Sequence, residues 1–351
     1  MKTMKVAVFN GVKDIQIEEA PLPQVYGAHI LIKVNACAIC TWEQRVYTGV
    51  KEVVFPFIGG HEIAGEVVAI GEGVNDRIWE IGDQVVYGTN LACGDCYQCK
   101  SGNEQNCYNF DHSKQLPGLP HKGMGGFSEY LLVEPKHLFK YWNVSAIEAS
   151  LSEPLSCVIH SCETADISYG DTVVIIGCGI MGLLHLQVAL KSGASVIVSD
   201  PQEERLELAK TLGAHHTVNP SKENLEVAVD EITQQIGAQV VFDTTPIAAI
   251  VEQGLALLAN NGKLVLYSSF YPDKPVTFSP DTIHKTASQI QGTANSNSRD
   301  FMRAAKMISE GIVDMTPFIS QTYGLEAIQT GLESAIIGDK YRVVINFMEG
   351  R

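Results

Sequence analysis

Residues 172–182 read Thr-Val-Val-Ile-Ile-Gly-Cys-Gly-Ile-Met-Gly, and this stretch decides the fold. The apolar run at 172–176 predicts a buried strand, and a helix is predicted over residues 180–191. Glycines at the junction let the backbone approach a pyrophosphate, which the positive end of the helix attracts. The stretch therefore predicts a dinucleotide-binding turn, with candidate contacts at Gly177, Gly179, Ile180, Met181 and Gly182.

An acidic residue, Asp200, ends the next predicted strand at 195–199. Its carboxylate would accept hydrogen bonds from the adenosine ribose hydroxyls and repel a 2′-phosphate, which favours NAD over NADP. Arg205, on the following predicted helix, is a further candidate cofactor contact. A tight strand-to-helix turn followed by a surface aspartate is the alternative interpretation.

The pattern of apolar runs differs on the two sides of residue 170. Downstream, strand-like and helix-like runs alternate, which is typical of a doubly wound parallel sheet covered by helices on both faces. Upstream, short apolar runs punctuated by glycine and proline predict an irregular, mostly antiparallel β domain. The predicted elements lie at 30–34, 66–70, 84–87, 130–133, 195–199, 203–212, 239–243, 247–258, 263–268, 301–310 and 341–347.

A chain of 351 residues exceeds what one hydrophobic core usually serves, so two domains are expected. We assign residues 151–295 to a nucleotide-binding domain of the Rossmann type. Residues 1–150 and 296–351 form the other domain, because the last predicted strand is expected to return to the first part of the chain. The fold class is α/β.

Composition excludes several classes of partner. The formal net charge of −15 argues against nucleic acid and anionic membrane surfaces, which attract basic proteins. No apolar run approaches the roughly 18 residues of a membrane span, and the N-terminus shows no signal-peptide pattern. We expect a cytoplasmic protein with a small-molecule ligand. In that compartment the nine cysteines do not form a disulfide framework.

Four of the cysteines are close together at Cys93, Cys96, Cys99 and Cys107. Four thiolates at this spacing can enclose a zinc ion tetrahedrally and leave no position for a substrate, so the predicted site is structural. Coincidental free cysteines are the alternative interpretation. A ferredoxin-type iron–sulfur run has different spacing and a proline after its last cysteine.

A third pattern is Gly60-His61-Glu62, followed by Gly65 and Gly71. A histidine beside a carboxylate in a glycine-rich turn is a candidate metal ligand. The neighbouring carboxylate would adjust its affinity for the metal. Taken alone, a histidine is more often a packing or surface residue.

Together these patterns resemble the zinc-containing medium-chain alcohol dehydrogenase superfamily, in its sorbitol (polyol) and threonine dehydrogenase branch. The Gly-His-Glu run resembles the zinc signature of that family, and the four-cysteine stretch resembles its structural zinc loop. Residues 125–130 (Gly-Gly-Phe-Ser-Glu-Tyr) and 153–155 (Glu-Pro-Leu) add two further matches in the same order. The resemblance implies a GroES-like irregular β catalytic domain beside the Rossmann coenzyme domain, and a homodimer or homotetramer.

The resemblance also implies a set of catalytic residues. Cys40, His61 and Glu153 would hold a catalytic zinc, and Glu62 would join or exchange with them. With the four-cysteine site, the chain would bind two zinc ions, and NAD would be its coenzyme. The implied reaction transfers a hydride between NAD(H) and a small secondary alcohol or polyol, with the metal as a Lewis acid.

One departure from the family pattern concerns the proton relay. After Cys40 the chain reads Thr41-Trp42-Glu43, and Trp42 stands where the family carries the relay hydroxyl. Thr41, Glu43 and Tyr47 are the candidate substitutes. Trp42 either forms a wall of the substrate pocket or points into the core.

Other functions stay open at this point. The substrate could be a 3-hydroxy amino acid of the threonine type or a sugar phosphate. A zinc-free carbonyl or enone reductase of the same fold is an enzymatic rival, since the relay hydroxyl is missing. A silent NAD-binding protein without turnover is the rival that is not an enzyme.

Overall fold

The computed structural model of the protein describes residues 2–348. The chain divides into two compact units. Met1–Ser156 and Ser296–Arg351 form the first unit, and Cys157–Asn295 forms the second. Among the described residues, no helix combines the length and the apolar character that crossing a bilayer requires.

The first part of the chain consists mainly of strands with short helices between them. In chain order these are β1 (Thr3–Gly11), β2 (Asp14–Pro21), β3 (Ile30–Ala38), α1 (Thr41–Tyr47), β4 (Glu62–Ile70), β5 (Gln84–Tyr87), α2 (Tyr97–Lys100), β6 (Tyr130–Val133), β7 (Leu138–Lys140) and α3 (Ala146–Ala149).

The middle of the chain alternates helices and strands. These are α4 (Ser152–Ala165), β8 (Thr172–Ile176), α5 (Ile180–Lys191), β9 (Ser195–Ser199), α6 (Glu203–Thr211), β10 (His216–Val218), α7 (Leu225–Ile232), β11 (Ala238–Asp243), α8 (Ala248–Ala256), β12 (Leu258–Leu266), α9 (Pro280–Thr286) and β13 (Gln289–Gly292). The last part contains α10 (Ser298–Ser309), β14 (Ile319–Tyr323), α11 (Ile328–Ile336) and β15 (Arg342–Asn346).

The first unit is built on one sheet with the strand order β14-β15-β3-β4-β5-β7, and β6 pairs with β3. The pair β14–β15 is parallel, and the other pairs in this sheet are antiparallel. In the register of the sheet, Ala38 of β3 lies opposite both Glu62 of β4 and Val344 of β15. The end of β3 and the beginnings of β4 and β15 therefore lie side by side.

The second unit contains a parallel sheet with the order β10-β9-β8-β11-β12-β13. Numbered within the unit, this is the order 3-2-1-4-5-6 of doubly wound dinucleotide-binding folds. Its central strands read as continuous apolar runs because they are buried, as Val173–Ile175 in β8 illustrate. The predicted Rossmann sheet is confirmed.

Two features of the middle segment differ from the sequence prediction. Helix α4 was not predicted, because Pro154 lies near its start; in the first turn a proline forfeits no helical hydrogen bond. The sequence predicted a helix to residue 258 and a strand from residue 263. In the structure, strand β12 already begins at Leu258. The pairing of Ala238 with Leu258 extends the strand toward the N-terminus.

Candidate active site

Strand ends in the first unit bring Cys40, His61 and Glu62 together. One potential ligand atom of each lies within 4.8 Å of the others. Cys40 follows β3 and caps α1, and His61 and Glu62 stand where β4 begins. Because β3 and β4 are antiparallel neighbours, residues 22 or so positions apart converge at one edge of the sheet. Sulfur, nitrogen and oxygen donors in one group fit a catalytic zinc.

Glu43 lies behind this group and fixes two of its members. Its side chain is fully buried. It accepts hydrogen bonds from the backbone N–H of Cys40 (3.2 Å) and of Gly60 (3.0 Å), and from Nδ1 of His61 (2.7 Å). Glu43 was predicted as a candidate for the proton relay, but this position supports a positioning role.

The Glu43 contact sets the chemical state of His61. Burial lowers the pKa of His61, but the charges of Glu43 and Cys40 outweigh it and hold the pKa well above the usual range. Because a carboxylate only accepts, Nδ1 donates to Glu43, and Nε2 is the nitrogen that would bind a metal. A metal bound there would take the place of the proton on Nε2.

Arg342 is a site residue that the sequence interpretation missed. At the start of β15, its Nε and Nη2 atoms donate to the two oxygens of Glu62 at 3.0 and 2.8 Å. Nη2 also lies 3.8 Å from Sγ of Cys40. Burial raises the pKa of the Cys40 thiol, and the charge of Arg342 opposes that shift. The available signal was a single arginine inside the apolar run 341–347.

The remaining predicted catalytic residues lie at different distances from this group. Glu153, in the first turn of α4, is outside the set of atoms within 4.8 Å, although its charge acts on Arg342. Thr41 is exposed at the start of α1. Tyr47 is buried and donates its hydroxyl to Glu333 at 3.1 Å. The assignment of Glu153 as a zinc ligand stays a prediction.

The four predicted structural cysteines also form one cluster. Their Sγ atoms all lie within 4.8 Å of one another. Separations of 3.5 Å (Cys96–Cys99), 3.9 Å (Cys96–Cys107) and 4.0 Å (Cys93–Cys99) bracket the roughly 3.8 Å edge of a zinc–thiolate tetrahedron. The cluster fits a zinc ion without rearrangement.

Polar groups around Cys93 favour its thiolate. Cys93 accepts hydrogen bonds from Nδ2 of Asn109 (3.2 Å) and from the backbone N–H of Asp95 and of Cys96 (both 3.4 Å). The Asn109 bond contributes most, and together these bonds lower the pKa of Cys93 to about 6. A thiolate at neutral pH is the form that binds metal.

The glycine turn of the second unit follows β8. Gly177 has a φ of +101°, and Gly179 caps α5. A Cβ on Gly182 would lie 1.8 Å from the carbonyl oxygen of Gly177, whereas a Cβ on Gly179 would meet no atom within 4 Å. Gly182 therefore serves the packing of the turn, and Gly179 leaves open space at the N-terminus of α5.

Asp200 lies beside this turn with a side chain that is almost fully buried. It accepts hydrogen bonds from the backbone N–H of Cys178 (2.8 Å) and of Gln202 (2.9 Å). Nη1 of Arg205 is 3.9 Å from the same carboxylate. Asp200, which follows β9, and Arg205, which lies in α6, are thus brought together beside the glycine turn.

Comparisons with known proteins identify the family. The family model described as "Zinc-binding dehydrogenase" matches residues 181–310, and "Alcohol dehydrogenase GroES-like domain" matches residues 27–143. The chain is 30% identical over 341 residues to the sorbitol dehydrogenase of Bacillus subtilis (95% of this chain, 94% of the relative). It is 32% identical over 339 residues to the L-threonine 3-dehydrogenase of Pyrococcus horikoshii (94% of each chain).

The chain belongs to the zinc-containing medium-chain alcohol dehydrogenase superfamily, in the branch of the sorbitol and threonine dehydrogenases. The predicted family, the GroES-like domain and the oxidoreductase class are confirmed. Zinc and a nicotinamide dinucleotide are confirmed as the class of cofactors. The choice between NAD and NADP stays a prediction.

Solved structures agree with this membership. The 2R,3R-butanediol dehydrogenase of Bacillus subtilis superimposes with a TM-score of 0.84 at 26% identity, over 98% of this chain and 99% of that one. A Sinorhizobium meliloti protein solved with NADP has a TM-score of 0.88 at 27% identity, over 99% and 100% of the two chains.

Replacement of Gly182 by alanine should destabilise the protein by about 1–3 kcal/mol or more, because the methyl group would overlap the Gly177 carbonyl. The matched change Gly179→Ala meets open space and should cost less than about 1 kcal/mol. Denaturant unfolding of both variants measures the difference. Equal stability of the two variants would contradict the packing role of Gly182.

Proposed function

We propose that the protein is a zinc-dependent dehydrogenase that transfers a hydride between NAD(H) and a small secondary alcohol or polyol. The observation that carries the proposal is the group Cys40, His61 and Glu62, with His61 held by Glu43 so that Nε2 is available. Zinc would be held there by Cys40 and His61, completed by Glu62 or Glu153. The four-cysteine cluster would hold a second, structural zinc.

Zinc bound at this group supplies a Lewis acid that lowers the pKa of a coordinated hydroxyl. The residues of the chain provide the remaining functions. Glu43 keeps His61 in one tautomer and orientation, and Arg342 compensates the buried charges of Glu62 and Cys40. Catalysis by such a site depends on side chains whose positions are fixed before the substrate binds.

The departing proton needs an acceptor other than residue 42, because an indole ring cannot take it. Tyr47 is engaged with Glu333, and Glu43 is enclosed behind His61. Thr41 is exposed next to Cys40. We therefore assign the first step of proton release to the Thr41 hydroxyl or to water beside it.

The names of the relatives limit the class of substrate to be considered. They cover sorbitol, threonine and 2R,3R-butanediol dehydrogenases, so their named substrates carry secondary hydroxyl groups. For this chain we propose the same chemical group. A threonine-type 3-hydroxy amino acid and a sugar phosphate are included in that class.

One rival function has an observation in its favour. Trp42 occupies the position of the relay hydroxyl, which is compatible with a carbonyl or enone reductase that works without catalytic zinc. The grouping of Cys40, His61 and Glu62 speaks against it, since such a reductase has no use for these ligands. A silent NAD-binding protein would likewise have no use for them.

We also propose a cytoplasmic location and a homodimer or homotetramer. All nine cysteines are free thiols in the structure, which suits a reducing compartment. The oligomeric state rests on the family resemblance alone. Neither proposal affects the chemistry of the site.

Cys40→Ser tests the metal-dependent reaction. The substitution removes a thiolate ligand, so NADH formation with secondary alcohols should fall by at least about a hundredfold, while NAD affinity stays unchanged. Cys37→Ala is the matched control, because Cys37 is a neighbouring buried thiol outside the ligand group. Retained turnover in Cys40→Ser would favour the zinc-free reductase. Bound NAD without turnover in any variant would favour the silent binder.

Asp200→Ala tests the coenzyme preference. Loss of hydrogen bonds to a charged group, worth about 1.5–3 kcal/mol, should weaken NAD binding roughly ten- to a hundredfold. Because each oxygen of Asp200 also accepts a backbone hydrogen bond, denaturant unfolding of Asp200→Ala is the control for damage to the turn. Steady-state kinetics with NAD and NADP measure both effects. Equal use of the two coenzymes by the unaltered protein would contradict the role of Asp200.

A further inference from the structure

Three rings form a surface beside the candidate metal ligands, which we call the aromatic wall: Trp42, Phe57 and His112. The ring of Trp42 meets the ring of His61 edge to face, with centroids 6.3 Å apart and an interplanar angle of 83°. Trp42 also lies against Phe57 at 5.7 Å and against His112 at 5.6 Å. Phe57 is buried, but Trp42 is only half-buried. Part of the Trp42 side chain is therefore open to solvent, next to His61.

A positive charge stands on this wall. Nζ of Lys51 lies 5.5 Å from the centroid of the Trp42 ring, in a cation–π contact. The backbone N–H of Lys51 donates to the carbonyl of Arg45 at 3.0 Å, which folds the segment after α1 back toward that helix. The position of the ammonium group is thus set by both backbone and ring contacts.

The charge of Lys51 is not balanced by an ion pair within the part of the chain that the structure describes. Among residues 2–348, neither Lys51 nor Arg45 forms an ion pair. The chain has 40 acidic residues against 25 lysines and arginines, and most exposed cations could find a carboxylate. The ammonium of Lys51 is therefore a cation without an ion-pair partner among the described residues, held next to the ring of Trp42.

The third ring, His112, does not add to that charge. His112 is exposed, with the centroid of the Trp42 ring 5.6 Å and that of the Phe110 ring 4.4 Å from its own. Partial desolvation, followed by the charges of His61 and Lys51, lowers the pKa of His112 to about 4. The imidazole is neutral at pH 7, so Lys51 is the cation that a ligand meets on the wall.

We propose that the aromatic wall and Lys51 select secondary alcohols that carry an anionic group, a carboxylate or a phosphate, near the hydroxyl-bearing carbon. The anion pairs with Lys51, and the carbon skeleton lies against Trp42. A neutral polyol is disfavoured, because each hydroxyl placed on the rings would lose a hydrogen bond to water without a replacement. The inference rests on the proposed function, since it names the substrate class of the same site.

The test compares substrates of one carbon skeleton. With zinc-loaded protein and NAD, kcat/KM is measured for 3-hydroxybutyrate, for butane-1,3-diol as its neutral counterpart, and for the 1-phosphate of that diol. We expect the anionic substrates to exceed the diol by about tenfold or more. The relative values for carboxylate and phosphate distinguish the two sources of the charge.

Lys51→Met should reduce the preference for anionic substrates about tenfold, by raising their KM. Lys51→Arg should retain the preference. Lys136→Met is the matched control, since Lys136 is an exposed lysine of the same unit that pairs with Glu134. Trp42→Leu, which introduces no hydroxyl, should lower kcat/KM for the anionic substrates and weaken their dependence on Lys51, because the ammonium group loses its ring contact. Equal kcat/KM for the diol and both anions, unchanged in Lys51→Met, would overturn the inference and leave the proposed function intact.

A binding measurement separates the two proposals. Trp42 is one of three tryptophans, and the difference in emission between the unaltered protein and Trp42→Phe reports on its surroundings. With NAD present, 3-hydroxybutyrate should change the Trp42 emission in the unaltered protein and much less in Lys51→Met. If this happens while no alcohol is oxidised, the proposed function fails, and only the binding of anions at Lys51 is supported. If 3-hydroxybutyrate and the diol act equally on the Trp42 emission, the inference fails.

Discussion

The buried carboxylate of Glu43 is the constraint on which the geometry of the site depends. Its side chain has no contact with water, and such a charge is tolerated only when hydrogen-bond donors surround it. The donors come from Cys40, Gly60 and His61, so α1 and the turn before β4 must meet. Gly60, with a φ of +88°, permits this approach, because a Cβ there would lie 2.8 Å from Sγ of Cys37. Two metal ligands are therefore held in place before any metal binds.

The buried pair of Arg342 and Glu62 is the second element that joins distant segments. Breaking such a pair by removing one partner typically costs about 3–5 kcal/mol, because the other charge stays buried. The pair attaches β15 to the start of β4, and Arg342 also responds to the charges of Cys40 and Glu153. A metal bound by Glu62 in the proposed site would share that carboxylate with Arg342. If Glu62 and Glu153 exchange at that metal, Arg342 takes part, because it pairs with Glu62 and responds to the charge of Glu153.

The sequence predicted the features that short patterns encode. The glycine turn, the four cysteines and the Gly-His-Glu run each place their chemistry within about a dozen residues, and local geometry follows from such spacing. Arg342 could not be predicted, because its partner Glu62 lies in another strand and only the register of β15 on β3 brings them together. Glu43 was assigned to the relay because its sequence position does not reveal that the side chain turns inward toward His61. Helix α4 was missed because Pro154 obscured its first turn.

We infer that the chain prepares two zinc sites, one at His61 and one at the four cysteines. Both can be counted by elemental analysis of protein made with ample zinc and never exposed to a chelator. We expect about two zinc ions per chain, about one in Cys40→Ser, and loss of the other ion when Cys93 or Cys107 is replaced. One zinc ion per chain in the unaltered protein, lost only on replacing Cys93 or Cys107, would contradict this inference, because the group at His61 would then bind no metal.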